Sequence, residues 1–183
     1  MDLVERIETS RFLGQEFLAW VWFSRDVTEG DIETPDLGLV DVALESQIFL
    51  ADPIAIDERV TIRGADPCSS AEADQALKMG KLPVKVALRL IRNEAEWIAT
   101  LDGSTLSLRS VRLPAIEAED EEEAFVERMA RLEELDDILH ELYRSFLRVR
   151  LSPAWRKKIL PAMCEWVQGN ITLSLEEHRK LHA

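Results

Sequence analysis

The sequence predicts an α+β protein: an antiparallel sheet of about five strands with one inserted helix, followed by a helical C-terminal segment. Three observations carry this. Period-two apolar alternation recurs over Val40–Leu50, 54–63 and Leu82–Arg92, as strands with one buried and one wet face require. Asp102-Gly103 lies between two further apolar runs, at 94–101 and 104–112, and is the strongest short hairpin signal in the chain. From residue 122 onward the spacing of apolar residues turns helical.

The elements follow in order. Ser10 is placed to cap a helix running to about Phe23. Phe12, Leu13, Phe17, Trp20, Val21 and Phe23 make that helix apolar on most sides, so it is deeply buried or pairs with another subunit. Large aromatics in such number point to Phe12, Phe17, Trp20 and Phe23 as a homodimer contact. Asp26–Gly38, rich in acid, Gly and Pro, reads as a loop. Ser69 and Glu72 have capping-box spacing, which starts a helix over 70–79, and Gly80 is positioned to end it. In the following strand Lys85 and Arg89 share the outer face. A two-residue turn at Asp102-Gly103 pairs Leu101 with Ser104 and sets Glu96 opposite Arg109.

Pro114–Glu123 reads as an acidic, mobile linker. A helix over about 122–150 then carries an apolar stripe of Phe125, Met129, Leu132, Leu139, Leu142, Phe146 and Val149, with acids early and Arg late to suit the helix dipole. Pro153 opens another helix to about Val167, ended by Gly169-Asn170, and Ser174 with Glu177 caps a short last one. The chain thus divides into an apolar helix plus sheet at 1–115, a linker at 116–123 and a helical part at 124–183.

At 183 residues the chain can bury a core without disulfides or metals. Cys68 and Cys164 form no motif and read as free thiols in a reducing, cytoplasmic setting. The start Met1-Asp2-Leu3-Val4-Glu5 lacks the pattern of a signal peptide, and Phe17–Phe23 is too short for a membrane span, which needs about 20 residues. No membrane partner is expected. His178 and His182 have metal-ligand spacing, but without companions they read as a solvated helix end, and neither a metal nor a cofactor is expected. No nucleophile motif, phosphate loop or dinucleotide fingerprint is present, so the reading is of a protein that is not an enzyme.

Charge is the remaining signal. The net charge is −13, but it is zoned: −10 over 1–66, +2 over 67–115, −10 over 116–142 and +5 over 143–183. Two basic stretches stand out. Lys78, Lys81, Lys85, Arg89 and Arg92 are either a solvated strand face or an anion contact. Arg144, Arg148, Arg150, Arg156, Lys157 and Lys158 follow one another with no acid between them. These bind an anion, or they pair with the acidic segment at 117–123 or with another subunit.

Over residues 45–150 the chain resembles the C-terminal part of the bacterial RdgC family of recombination-associated DNA-binding proteins. The likeness lies in a helix start at Ser70 and Glu72, a turn at Gly80-Lys81, a strand with Lys85-Val86-Ala87-Leu88, a hairpin at Asp102-Gly103, and a basic exit at Arg109 and Arg112. The acidic linker and long closing helix follow in the same order. The resemblance implies an α+β homodimer that encircles duplex DNA without sequence preference and restrains a recombinase. Lys81 and Lys85 are the positions it carries over as backbone contacts. The expected DNA-binding set is Lys78, Lys81, Lys85, Arg89, Arg148, Lys157 and Lys158. The expected partners are duplex DNA, bound weakly, and a second copy of the chain, and such a protein would be nucleoid-associated. The alternative is a protein–protein interaction module that keeps the fold without binding DNA.

Overall fold

The computed structural model describes residues 12–52 and 59–182. The proposed cap at Ser10 and the first half of the strand at 54–63 lie outside them. In order come α1 (Phe12–Thr28), β1 (Asp31–Thr34), β2 (Gly38–Ala51), β3 (Arg59–Arg63), α2 (Ala71–Lys78), β4 (Leu82–Arg92), β5 (Ala95–Asp102), β6 (Ser107–Arg112), α3 (Glu121–Leu151), a π-helical turn at Trp155–Ile159, α4 (Leu160–Val167) and α5 (Leu175–His182). The fold is α+β, as the alternation predicts.

The sheet is antiparallel in the order β1-β2-β4-β5-β6, with β3 also on β2. β2 is long enough to hold β4 along one edge and both β1 and β3 along the other. Its core face presents Val40, Val42, Leu44, Ile48 and Leu50, all buried, and a bulge around Ser46 (φ 52°) keeps the later residues in phase. Val86, Leu88 and Leu90 of β4 continue that face, and Trp97, Ala99 and Leu101 of β5 extend it.

α1 lies on this face as the middle of three layers. Every residue from Phe17 to Phe23 is buried. The sheet covers one side, and the C-terminal helices cover the other. Phe17 meets Tyr143 edge-on with centroids 5.1 Å apart, Trp20 lies 5.7 Å from Phe146, and Trp22 and Phe23 both pack on Trp166 at 5.6 and 5.8 Å. The expected dimer contact through Phe17, Trp20 and Phe23 is therefore corrected. The chain's own helices take up this surface, because one face of α1 meets the sheet and the opposite face meets α3 and α4. The side chain of Phe12 lies outside the described residues.

α1 approaches the β5–β6 hairpin backbone to backbone. A Cβ built on Gly14 would stand 1.6 Å from the carbonyl oxygen of Gly103, and one on Gly103 would stand 2.8 Å from Leu18 Cδ1. The Asp-Gly pair is thus needed for close packing as well as for a turn. The turn is also longer than two residues. Leu101 pairs with Leu108 and Asp102 with Ser107, so Gly103–Leu106 form the loop and Leu106 takes φ 54°. Arg109 consequently faces Thr100 rather than Glu96.

Three other boundaries shift. The Asp26–Gly38 segment is not all loop: α1 continues to Thr28, and β1 buries Ile32 and Thr34. Ser70, not Ser69, caps α2 by accepting from the Ala73 N–H at 3.1 Å, while Ser69 donates to Asp66. The linker is tied down, because the Glu127 carboxylate accepts the backbone N–H groups of Glu117 and Ala118 at 3.0 and 3.1 Å.

Candidate functional site

The bases of the first stretch are mostly committed within the chain. Lys81 is only 6% exposed, which corrects its expected phosphate contact: it sits in the turn just before β4, where its N–H bonds Ala76 O at 3.0 Å. Lys85 does share the outer face with Arg89. It pairs with Asp102 at 3.2 Å and lies over the Phe49 ring. Arg89 pairs with Glu45 at 2.6 Å and stands 3.8 Å from Glu96. Arg92 donates to Leu37 O at 3.1 Å. Lys78, at the end of α2, is exposed. The pairing is visible at Asp102. Partial burial would raise its pKa, yet hydrogen bonds from Ser104 and the neighbouring Lys85 ammonium hold it below the usual carboxylate value. The sheet face thus places an acid beside each of its two central bases.

The second stretch splits in two. Arg144 and Arg150 point back onto the chain: Arg144 meets Asp36 at 2.8 Å and Glu141 at 2.6 Å, and Arg150 meets Glu16 at 2.7 Å while lying over the Trp155 ring. Their partners come from α1, α3 and the β1–β2 turn, not from residues 117–123. Arg148, Arg156, Lys157 and Lys158 are exposed, and none of them makes an ion pair among the described residues. The π turn arranges three of them. Pro161 has no N–H, so the α-type bond from residue 161 to 157 is missing, and Leu160 N–H reaches Trp155 O instead. Trp155 and Ile159 turn inward, and Arg156, Lys157 and Lys158 turn out.

α3 departs most from its expected pattern. Leu142, Phe146 and Val149 are buried and Leu139 is partly so, as the stripe predicts, but Phe125 is 61% exposed, Met129 44% and Leu132 39%, with Val126 beside them at 61%. The inward residues of the first half are Ala124, Leu135 and Ile138, and the Arg131 carbonyl accepts from Trp97 Nε1 at 2.9 Å. At about 100° per residue, Phe125, Met129 and Leu132 lie on average roughly 110° around the helix from Leu135, Ile138 and Leu142. The apolar residues of the two halves therefore belong to different faces. Glu121, Glu122, Glu123 and Glu133 surround the exposed group. Val126 was not part of the expected stripe; its spacing of three from Met129 was the available signal.

Beside the second half of α3 lies a cleft of about 490 Å³, lined by Asp36, Leu37, Asp137, His140, Glu141, Tyr143, Arg144 and Leu147. Arg144 bridges its walls. Glu141 is buried there with Oε1 on Arg144 and no hydrogen-bond partner for Oε2. Among the described residues no group of His, Cys, Asp and Glu is arranged to hold a metal. Burial pushes the Cys68 thiol far up, so it is no nucleophile at neutral pH. His178, expected at a solvated helix end, is instead buried against Ser24, with Nε2 to Oγ 3.0 Å, and desolvation lowers its pKa to about 4. Among the described residues no helix is long and apolar enough to cross a membrane.

No family model, curated protein or solved structure matches the chain.

Proposed function

We propose that this chain is a nonenzymatic protein–protein interaction module, with the solvent side of α3 as its working surface. The supporting observation is the exposed group Phe125, Val126, Met129 and Leu132, gathered within two turns of one helix. Contiguous apolar surface rimmed by charge marks interaction sites on soluble proteins. The test is affinity capture of a protein partner from extract, with the wild-type chain and with Val126→Asp/Met129→Asp as baits. Loss of the partner in the variant is expected. Equal capture by both baits, or by neither, overturns the reading.

A second reading, weak and sequence-independent binding of duplex DNA in a recombination-associated role, draws support from one feature, the outward group Arg148, Arg156, Lys157 and Lys158. It differs from the sequence-based expectation in its contact residues. Replacing Lys85 and Arg89 with Ala should leave the salt dependence of binding unchanged, since both bases are already paired. Replacing Arg156, Lys157 and Lys158 should lower the slope of log affinity against log salt by roughly three, at about 0.9 for each phosphate contact. Absence of binding at about 50 mM salt, where phosphate binders are strongest, removes this reading.

A further inference from the structure

The outward face of α3 has an order that neither the core nor the charge zoning requires. Val126, Ala130, Glu133, Asp137, His140, Arg144, Leu147 and Leu151 succeed one another at spacings of four and three. That is the heptad spacing of a helix seam that packs on another helix. All are exposed except Leu147, which is partly buried, and Leu151 is 81% exposed. The core-facing seam of the same helix runs through Leu135, Ile138, Leu142, Phe146 and Val149, and of the outward seam only Leu147 also packs against the edge of the core.

Laid on its own reverse, the outward seam is complementary to itself. Position 126 meets 151, 130 meets 147, 133 meets 144 and 137 meets 140. The pairs are Val–Leu, Ala–Leu, Glu–Arg and Asp–His. Each end of the seam is apolar, and its centre pairs acid with base. The flanks agree. Glu121, Glu122 and Glu123 open α3, Arg148 lies in its last turn, and Arg156, Lys157 and Lys158 follow in the π turn just beyond its end at Leu151. A helix laid antiparallel on itself brings the acidic opening of each copy toward the basic end of the other. A parallel arrangement would set acid on acid and base on base.

We infer that the occupant of this face is a second copy of the chain, docked through an antiparallel, two-fold pairing of α3 centred between Ile138 and Leu139. This rests on the interaction-module reading above and names its partner; the seam takes Val126 from the exposed apolar group and leaves Phe125, Met129 and Leu132 on its flank. The contact is isologous and closes, so it makes a dimer rather than a fibre. Roughly eight turns of helix are available on each side. Arg144 keeps its bonds to Asp36 and Glu141 and still has donors to spare, since a guanidinium offers five. Asp137, His140, Arg144 and Leu147 of the seam form one wall of the cleft, with Asp36 and Leu37 of the β1–β2 turn opposite, and the register lays residues 130–140 of the second copy along it. The net charge of −13 opposes association, but at about 0.15 M salt exposed charges more than about 8 Å apart are largely screened, while close opposite pairs persist.

Two measurements test this. Sedimentation equilibrium at about 0.15 M salt and tens of micromolar, a concentration suited to ordinary interfaces, should show a dimer. Val126→Asp/Leu151→Asp should weaken it by roughly tenfold or more, with an unchanged thermal melt at a concentration where both chains are monomeric, because both positions are exposed. The second measurement fixes the register. In a Cys164→Ser background, which leaves only the buried Cys68, Val126→Cys and Leu151→Cys chains are prepared separately and oxidised. The mixture should give a disulfide-linked dimer. Neither variant should do so alone, because like positions then stand about 37 Å apart and a disulfide needs Cα atoms within about 7 Å. A monomer at these concentrations, a Val126→Cys chain that links to itself, or a mixture that fails to link overturns the inference. If the chain is a monomer but still captures another protein through Val126 and Met129, the second-copy assignment alone falls. If it is a monomer and captures nothing, the interaction-module reading falls with it.

Discussion

α1 and the first half of α3 are both rich in large apolar side chains, yet they sit at opposite extremes of the molecule. From Phe17 to Phe23 α1 is enclosed on every side, whereas Phe125, Val126 and Met129 of α3 face solvent. The difference lies in which elements pack around each helix. α1 has the sheet beneath it and the second half of α3, α4 and α5 above it. The first half of α3 extends past those layers and touches the core through Ala124, Leu135 and the Arg131 carbonyl. Apolar content sets how much surface a helix must cover. The placement of neighbouring elements decides whether the same chain covers it.

Substitutions should separate the two helices, and the largest effect belongs to α1. Trp20→Ala empties a fully buried indole site and should cost about 4 kcal/mol in denaturant unfolding. A cost below about 1 kcal/mol, typical of surface positions, would mean that α1 is not enclosed. Gly14→Ala drives a methyl group into the Gly103 carbonyl and should cost about 3 kcal/mol. A melting temperature within a degree or two of wild type, which is well under 1 kcal/mol for a chain of this size, would disprove the close backbone approach.

The cover over α1 should also be sensitive to acid. His178 of α5 packs on Phe23 and bonds Ser24, and burial depresses its pKa from 6.5 to about 4. The unfolded chain takes up this proton below pH 6.5, while the folded chain resists until about pH 4. Stability from this group is therefore complete above pH 6.5, falls as the pH drops to about 4, and then levels off at a loss of about 3 kcal/mol. Urea unfolding of wild type and His178→Gln across that range isolates it from the carboxylates. Identical pH profiles would rule it out.

The smallest effect belongs to α3. Phe125→Ala should change the stability of the isolated chain by no more than about 0.5 kcal/mol, although Phe is among the costliest residues to truncate in a core. A larger loss at a concentration where the chain is monomeric would show that the first half of α3 has a partner within its own chain.

The sequence carries the strands with unusual clarity. Alternation at Val40–Leu50 and Leu82–Arg92 names both the elements and their buried faces, because a side-chain period of two leaves one assignment when one face is apolar. Gly80 and Gly169, both at positive φ, mark helix ends for the same local reason, and so does the reciprocal bonding of Ser174 and Glu177. The hairpin was legible as a hairpin but not in register. Asp102 binds Ser104 locally and lengthens the turn, and Gly103 is claimed by Gly14, which lies far away in sequence.

The candidate site was less legible, since long-range placement decides it. That Lys85 and Arg89 share a face follows from alternation; that Asp102, Glu45 and Glu96 neutralise them follows from strand order. Lys81 reads as a turn lysine and is buried by the packing around the start of β4. By itself the sequence determined the alternating strands, the helix ends at Gly80, Gly169 and Ser174, the charge zones and the apolar content of each helix, because these depend on spacing within a few residues; it missed β1 and placed the α2 cap one residue early. Only the tertiary structure decided which bases stay unpaired and which apolar faces stay open. Both depend on groups that the fold brings together across the sequence, from Asp102 beside Lys85 to Glu16 beside Arg150 and Asp26 beside Trp166.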